Sequence, residues 1–279
     1  MSISAQITRQ ANSNLAFALR ILPKDRREDM RVFYAFCRTM DDLADSPGIP
    51  AAGRARALDL WENGLLHGFE RPNGFQKEVI ALRERQMIPN ELLVAIIDGC
   101  RMDLKPQRFD TWNDLSAYVW KVACAVGLVS IRIFGCKDPG SEAYAIALGK
   151  ALQLTNILRD VGEDLTNGKR IYLPREDLAK FHYTEQELKD RVYNDAFIAL
   201  MEYQAERAEG FFREAAAILP VADQRALLPA KIMGEVYRAL LQNMRANRFR
   251  VLQKHYSISK LKKLVILCKH LMDPTRSVE

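Results

Sequence analysis

Gln153-Leu-Thr-Asn-Ile-Leu-Arg-Asp-Val-Gly-Glu-Asp164 reads as a helix with a single polar stripe. Gln153, Asn156, Asp160 and Asp164 are spaced three, four and four residues apart. At about 100° per residue they fall on one line. Leu152, Leu154, Ile157 and Leu158 cover the other sides. A helix that is apolar on several sides is buried, and buried carboxylates need a partner or a metal.

A second stretch, Phe33-Tyr-Ala-Phe-Cys-Arg-Thr-Met-Asp-Asp-Leu-Ala-Asp45, repeats the pattern. Tyr34, Arg38, Asp41 and Asp45 share a stripe, with Asp42 beside it, and Val32, Phe33, Phe36, Cys37 and Met40 make the other sides apolar. Like charges four apart weaken a helix by roughly 0.2–0.5 kcal/mol per pair. A chain that accepts this twice beside apolar residues is expected to offset it with a cation. Carboxylates suit Mg²⁺, which completes its shell with water and substrate phosphates. The expectation is an enzyme that grips a diphosphate through magnesium, with Gln153 and Asn156 bonding to diphosphate, metal-bound water or a carboxylate. Two plainer readings stand beside it: a surface ion pair between Arg38 and Asp41, and a buried polar network without a ligand.

Helical periodicity extends over almost the whole chain. It predicts helices over 25–45, 51–68, 74–86, 90–103, 112–135, 140–165, 184–190, 195–219, 223–228, 230–254 and 258–271, separated by prolines and glycines. Asp110 or Thr111 and the pair Thr184 and Glu187 fit N-terminal caps. Ile171-Tyr172-Leu173 is too short, before Pro174, to count as a strand. The reading is an all-α bundle, 1–279 as a single domain, whose site lies in the core between facing helices. Small residues at 123–127 allow a helix or a ligand to come close, and Tyr118 shares a stripe with Val122. Lys169, Arg170 and Tyr172 follow the second acidic stretch as loop residues that are either solvated or near the acids; Arg can chelate phosphate.

The 279 residues carry a net charge of +6, five cysteines without paired spacing and four scattered histidines. No zinc pattern and no nucleic-acid motif emerges. The unpaired cysteines and the lack of a signal-like start fit a reducing cytoplasm. No apolar run approaches the length of a membrane span. Near the C-terminus, Lys260, Lys262, Lys263, Lys269 and His270 lie beside Leu261, Leu264, Val265 and Leu267. This is either an amphipathic helix in peripheral contact with an anionic bilayer or an ordinary packed last helix.

Together these residues resemble the squalene/phytoene synthase family of head-to-head prenyl synthases, from about residue 12 to about residue 265. The likeness is carried by Tyr34-x-x-x-Arg38-x-x-Asp41-x-x-x-Asp45, by Tyr118 to Gly127, and by Gln153-x-x-Asn156-x-x-Arg159-Asp160-Val-Gly-Glu-Asp164 followed by Arg170-Ile-Tyr172-Leu-Pro174. It implies an isoprenoid-synthase fold with a central cavity. It further implies that Asp41 and Asp45 hold one set of Mg²⁺ ions, and Asp160 and Asp164 the other. Arg38, Gln153, Asn156, Arg159, Arg170 and Tyr172 would assist with diphosphate or water, and Tyr34 and Tyr118 would line the reacting centre. The implied chemistry is a 1-1′ condensation of two prenyl diphosphates through a cyclopropylcarbinyl diphosphate, with NADPH as a reductant in some members.

Three positions depart from common family patterns. Asn12-Ser-Asn14-Leu15 replaces a Ser-x-Ser-Phe and resembles bacterial hydroxysqualene-type members; Ala44 stands where animal members carry an acid; and His255 or Lys254 aligns with a family arginine. Asn14 favours two farnesyl diphosphates and a C30 product. The alternatives are phytoene synthesis from two geranylgeranyl diphosphates, a terpene cyclase or head-to-tail prenyltransferase, and a non-catalytic assembly factor. The intact acids argue against the last.

Overall fold

The computed structural model describes Ser4 and residues 21–46, 48–167 and 170–272. The Asn12–Leu15 motif and Lys169 lie outside the described residues. Among those described, the main helices are α1 (Lys24–Asp45), α2 (Ala51–His67), α3 (Gly74–Arg85), α4 (Asn90–Met102), α5 (Trp112–Val119), α6 (Ala125–Phe134) and α7 (Gly140–Asn167). They continue with α8 (Arg175–Lys180), α9 (Glu185–Lys189), α10 (Asp195–Ala217), α11 (Leu228–Ala246) and α12 (Lys260–Met272). No strand occurs among the described residues; Arg108 and Ile171 form an isolated parallel bridge.

Local chemistry sets many of the helix ends. Thr111 caps α5 in a reciprocal capping box with Asp114, and Thr184 does the same for α9 with Glu187. Asp223 accepts 2.8 Å hydrogen bonds from the Lys137 and Asp138 amides and from the Ser141 hydroxyl, and so secures the start of α7. The predicted helix over 230–254 stops at Ala246, because Arg248 and Phe249 take left-handed backbone (φ 51° and 52°) that a helix cannot continue through. The region predicted as a helix over 223–228 is instead the end of a 3₁₀ turn (Val221–Asp223) and a non-helical turn over 224–227 that leads into α11. The short α8 escaped the sequence reading because six residues show too little periodicity.

α5 and α6 form one rod, interrupted by a π-helical turn at Trp120–Cys124. Residues 112–134 are long and apolar enough, by length and composition, to cross a membrane, which corrects the expectation that nothing approached such a span. Asp114, Lys121 and Arg132 break the apolar run in sequence, so counting consecutive residues overlooked it. Half of this rod is buried inside the protein, where it serves as the core helix. α1 packs on it from one side with α2, α3 and α4, and α7 from the other with α10 and α11. Small residues let α7 come close: a Cβ on Gly127 would sit 3.0 Å from the Ala145 carbonyl oxygen, and one on Gly149 would sit 3.1 Å from that of Ala123. α1 and α7 do not fill the space between them, and a cavity remains there.

Candidate active site

The cavity has a volume of about 410 Å³. Its lining changes character along each wall. On α1 it runs from Met30 and Phe33 to Tyr34, Cys37 and Asp41; on α7 it runs from Tyr144, Ala145 and Leu148 to Gln153 and Asn156. The floor is therefore apolar and the mouth polar. Asp41 on one wall faces the Gln153–Asn156 stretch on the other. Of the four acids only Asp41 lines the cavity; Asp45 lies one turn beyond it on α1, and Asp160 and Asp164 lie one and two turns beyond Asn156 on α7.

Charge at this mouth is out of balance. Asp41 is exposed into the cavity, yet the enclosing protein pushes its carboxyl up to about 6; Asp45 and Asp103 add to the rise, while the Cys100 thiol, donating at 3.4 Å, and Arg38 oppose it. Burial pushes Asp164 up to about 7, reinforced by Asp160, Asp103 and Glu163 and opposed by Arg170. Asn156 Oδ1 is enclosed and has no hydrogen-bond partner, and its amide donates to Gln153 Oε1 at 3.5 Å. Crowded carboxylates and an orphaned amide oxygen form an all-oxygen donor set that fits Mg²⁺. Asp160, Glu163 and His255 also bring one ligand atom each to within 4.8 Å of one another, with His255 Nδ1 2.8 Å from Glu163.

The cations are already committed. Arg170 donates to Asp45 Oδ1 at 2.5 Å and to the Asp103 carbonyl at 3.1 Å, tying the loop after α7 to the end of α1. Arg159 holds Asp160 with two bonds of 2.7 and 2.6 Å, and also reaches Tyr237 on the cavity wall.

The squalene/phytoene synthase model matches residues 8–262 of this sequence. The chain belongs to that family. It is similar to the presqualene diphosphate synthase of Zymomonas mobilis (35% identity, covering 92% of this chain and 88% of that protein). It is also similar to the 15-cis-phytoene synthase of Synechococcus elongatus (33% identity, 94% and 89%). Among solved structures it resembles the squalene synthase of Alicyclobacillus acidocaldarius, with TM-score 0.81, 28% identity, and 88% and 93% coverage. As a squalene/phytoene synthase family member, the protein is an all-α prenyltransferase that condenses prenyl diphosphates head to head.

Within this family member, two expected site residues sit elsewhere than their stripes suggested. Arg38 points out of the cavity and pairs with Asp42 at 2.7 Å, with both side chains about half exposed (52% and 56%). Tyr118 is buried and does not line the cavity; its hydroxyl donates to Asp103 Oδ2 at 2.8 Å. The cause is the π turn: its i→i+5 bonding breaks the four-residue register that would have stacked Tyr118 over Val122. Tyr172 donates to Asp103 Oδ1 at 2.9 Å, and its ring stacks on that of Tyr118 at 5.3 Å.

Asp103 was not singled out in the sequence, yet it joins the tyrosine pair to both acidic stretches. Burial raises its carboxyl, and the two phenols and Arg170 pull it back. It caps the C-terminal end of α4, where the helix dipole disfavours a negative charge. That mismatch was the available signal. Gly162, inside the Asp-Val-Gly-Glu-Asp motif, is fixed by close approach: a Cβ there would fall 2.5 Å from the Val251 carbonyl oxygen.

Proposed function

We propose that this enzyme joins two farnesyl diphosphates by a 1-1′ bond, through presqualene diphosphate, to a C30 product. The observation that carries the reading is an apolar cavity of about 410 Å³ between the two helices that bear the acidic stretches, with Met30, Phe134 and Tyr144 in its apolar lining. In this proposal Asp41, Asp45, Asp160 and Asp164 hold Mg²⁺, with Asn156 and Gln153 bonding to water or diphosphate. Mg²⁺, when bound, supplies the Lewis acidity that stabilises charge on the departing diphosphate. Arg159 and Arg170 add positive charge beside the leaving group, and Arg38 does so from outside the opening. Tyr34 lines the reacting centre. Tyr118 and Tyr172 act one layer behind it, through Asp103. The apolar walls keep water from quenching the allylic cation long enough for the second double bond to attack it and lose a proton.

A second reading, phytoene synthesis from two geranylgeranyl diphosphates, draws on the likeness to the Synechococcus elongatus enzyme. Product analysis separates the two. The protein is incubated with farnesyl or geranylgeranyl diphosphate and Mg²⁺, with and without NADPH. A C30 product formed at least tenfold faster than a C40 product is expected; C40 predominance would replace the proposal with the second reading. A change in the C30 product on adding NADPH would mark a reductive final step.

A further inference from the structure

We propose that α12 is an interfacial helix that seats the enzyme on an anionic lipid bilayer. At about 100° per residue, Leu261, Leu264, Val265, Cys268, Leu271 and Met272 fall within an arc of about 120°. All six are exposed, Leu261 by 72% and Met272 by 79%. The side of α12 that meets the protein lies opposite, at Ile266 and His270. His270 is fully buried, with Nε2 2.7 Å from Glu235 on α11. His270 and the half-buried Leu267 therefore serve the inward face, and the outward stripe is a second apolar face that none of the described residues covers. A helix with apolar residues on opposite sides needs an apolar neighbour on each, and an uncovered patch of this kind marks a contact surface.

Charge selects the neighbour. Lys262 and Lys269 flank the stripe on one edge and Lys260 on the other, and Lys260–Met272 contains no Asp or Glu. None of these lysines forms an ion pair among the described residues. A second copy of the chain would set lysine against lysine. An anionic membrane surface supplies both missing partners: headgroup charge for the lysines and acyl chains for the stripe. The position suits apolar substrates and products. α12 packs on α11, and Pro229, Ala230, Met233 and Tyr237 of α11 line the cavity, so the bilayer would lie one helix away from it.

The test is flotation of the full chain with phosphatidylcholine vesicles, with and without a quarter of phosphatidylglycerol. Wild type is expected to float with the anionic vesicles alone and to be released by salt. The triple variant Lys260→Gln/Lys262→Gln/Lys269→Gln should bind more weakly by roughly fivefold per lysine removed. Leu261→Ser/Leu264→Ser/Val265→Ser should lose most binding while keeping wild-type turnover in detergent. Wild type that stays in the dense fraction, or triple variants that float as well as wild type, would overturn the assignment. So would a wild-type dimer that the serine variant converts to monomer without any vesicle binding. Should the serine variant melt early, the lysine variant, altered only at exposed positions, still decides.

Discussion

Each oxygen of the Asp103 carboxylate accepts one buried phenol, and its backbone carbonyl takes Arg170. Removing the acceptor strands two polar groups at about 1–3 kcal/mol each. Asp103→Ala should therefore lower the Tm by roughly 5–10 °C, read by thermal melting. The opposite sign is expected at the acidic mouth. Asp41 and Asp164 have folded-state values of about 6 and about 7, above their ordinary value of 3.8. The folded protein keeps these protons where the unfolded chain has lost them. Their contribution to stability is complete below 3.8 and is lost as pH rises through 6 and then 7. Metal-free protein in chelator should melt progressively lower between pH 4.5 and 7.5, and Asp164→Asn should flatten that decline and melt higher at pH 7.5. Each of Asp41→Asn and Asp160→Asn should lose most turnover. Mg²⁺ should raise the wild-type Tm more at pH 7.5 than at pH 5, because its ligands must be deprotonated. Identical melting at both pH values in chelator would contradict the charge imbalance.

At the level of the helices, the acidic stripes of α1 and α7 were readable because 3.6-residue periodicity is a local property. The caps at Thr111 and Thr184 were readable for the same reason. The glycine of the Asp-Val-Gly-Glu-Asp motif was visible in the sequence but unexplained by it. Its cause lies 89 residues on, in the turn at Arg250–Leu252 that presses against α7. Gly162→Ala must push that turn outward, along with His255, which reaches Glu163. Overpacking of this kind costs about 1–3 kcal/mol. The variant should melt roughly 2–4 °C lower per kcal/mol and keep helical circular dichroism near wild type. A wild-type melting curve would mean that the turn yields freely.

For the molecule as a whole, the depth of the cavity decides which chains fit, and Phe134 stands at its apolar end with Met30 and Tyr144. Phe134→Ala should raise the rate with geranylgeranyl relative to farnesyl diphosphate by about tenfold or more. The assay is best run cool, since such a truncation costs about 3–5 kcal/mol. An unchanged ratio would show that another wall sets the length. By itself the sequence determined the helical class and the two acidic rows, because each depends on spacing within a single helix. Only the tertiary structure decided that Arg38 turns outward, that Tyr118 faces Asp103, and that Arg170 reaches Asp45 across 125 residues. It also decided that the last helix bears an apolar face left exposed by the described residues. Those outcomes depend on how each helix is rotated about its axis and on what packs against it. A π turn or a crossing neighbour fixes that rotation, and neither leaves a periodic signal in the chain.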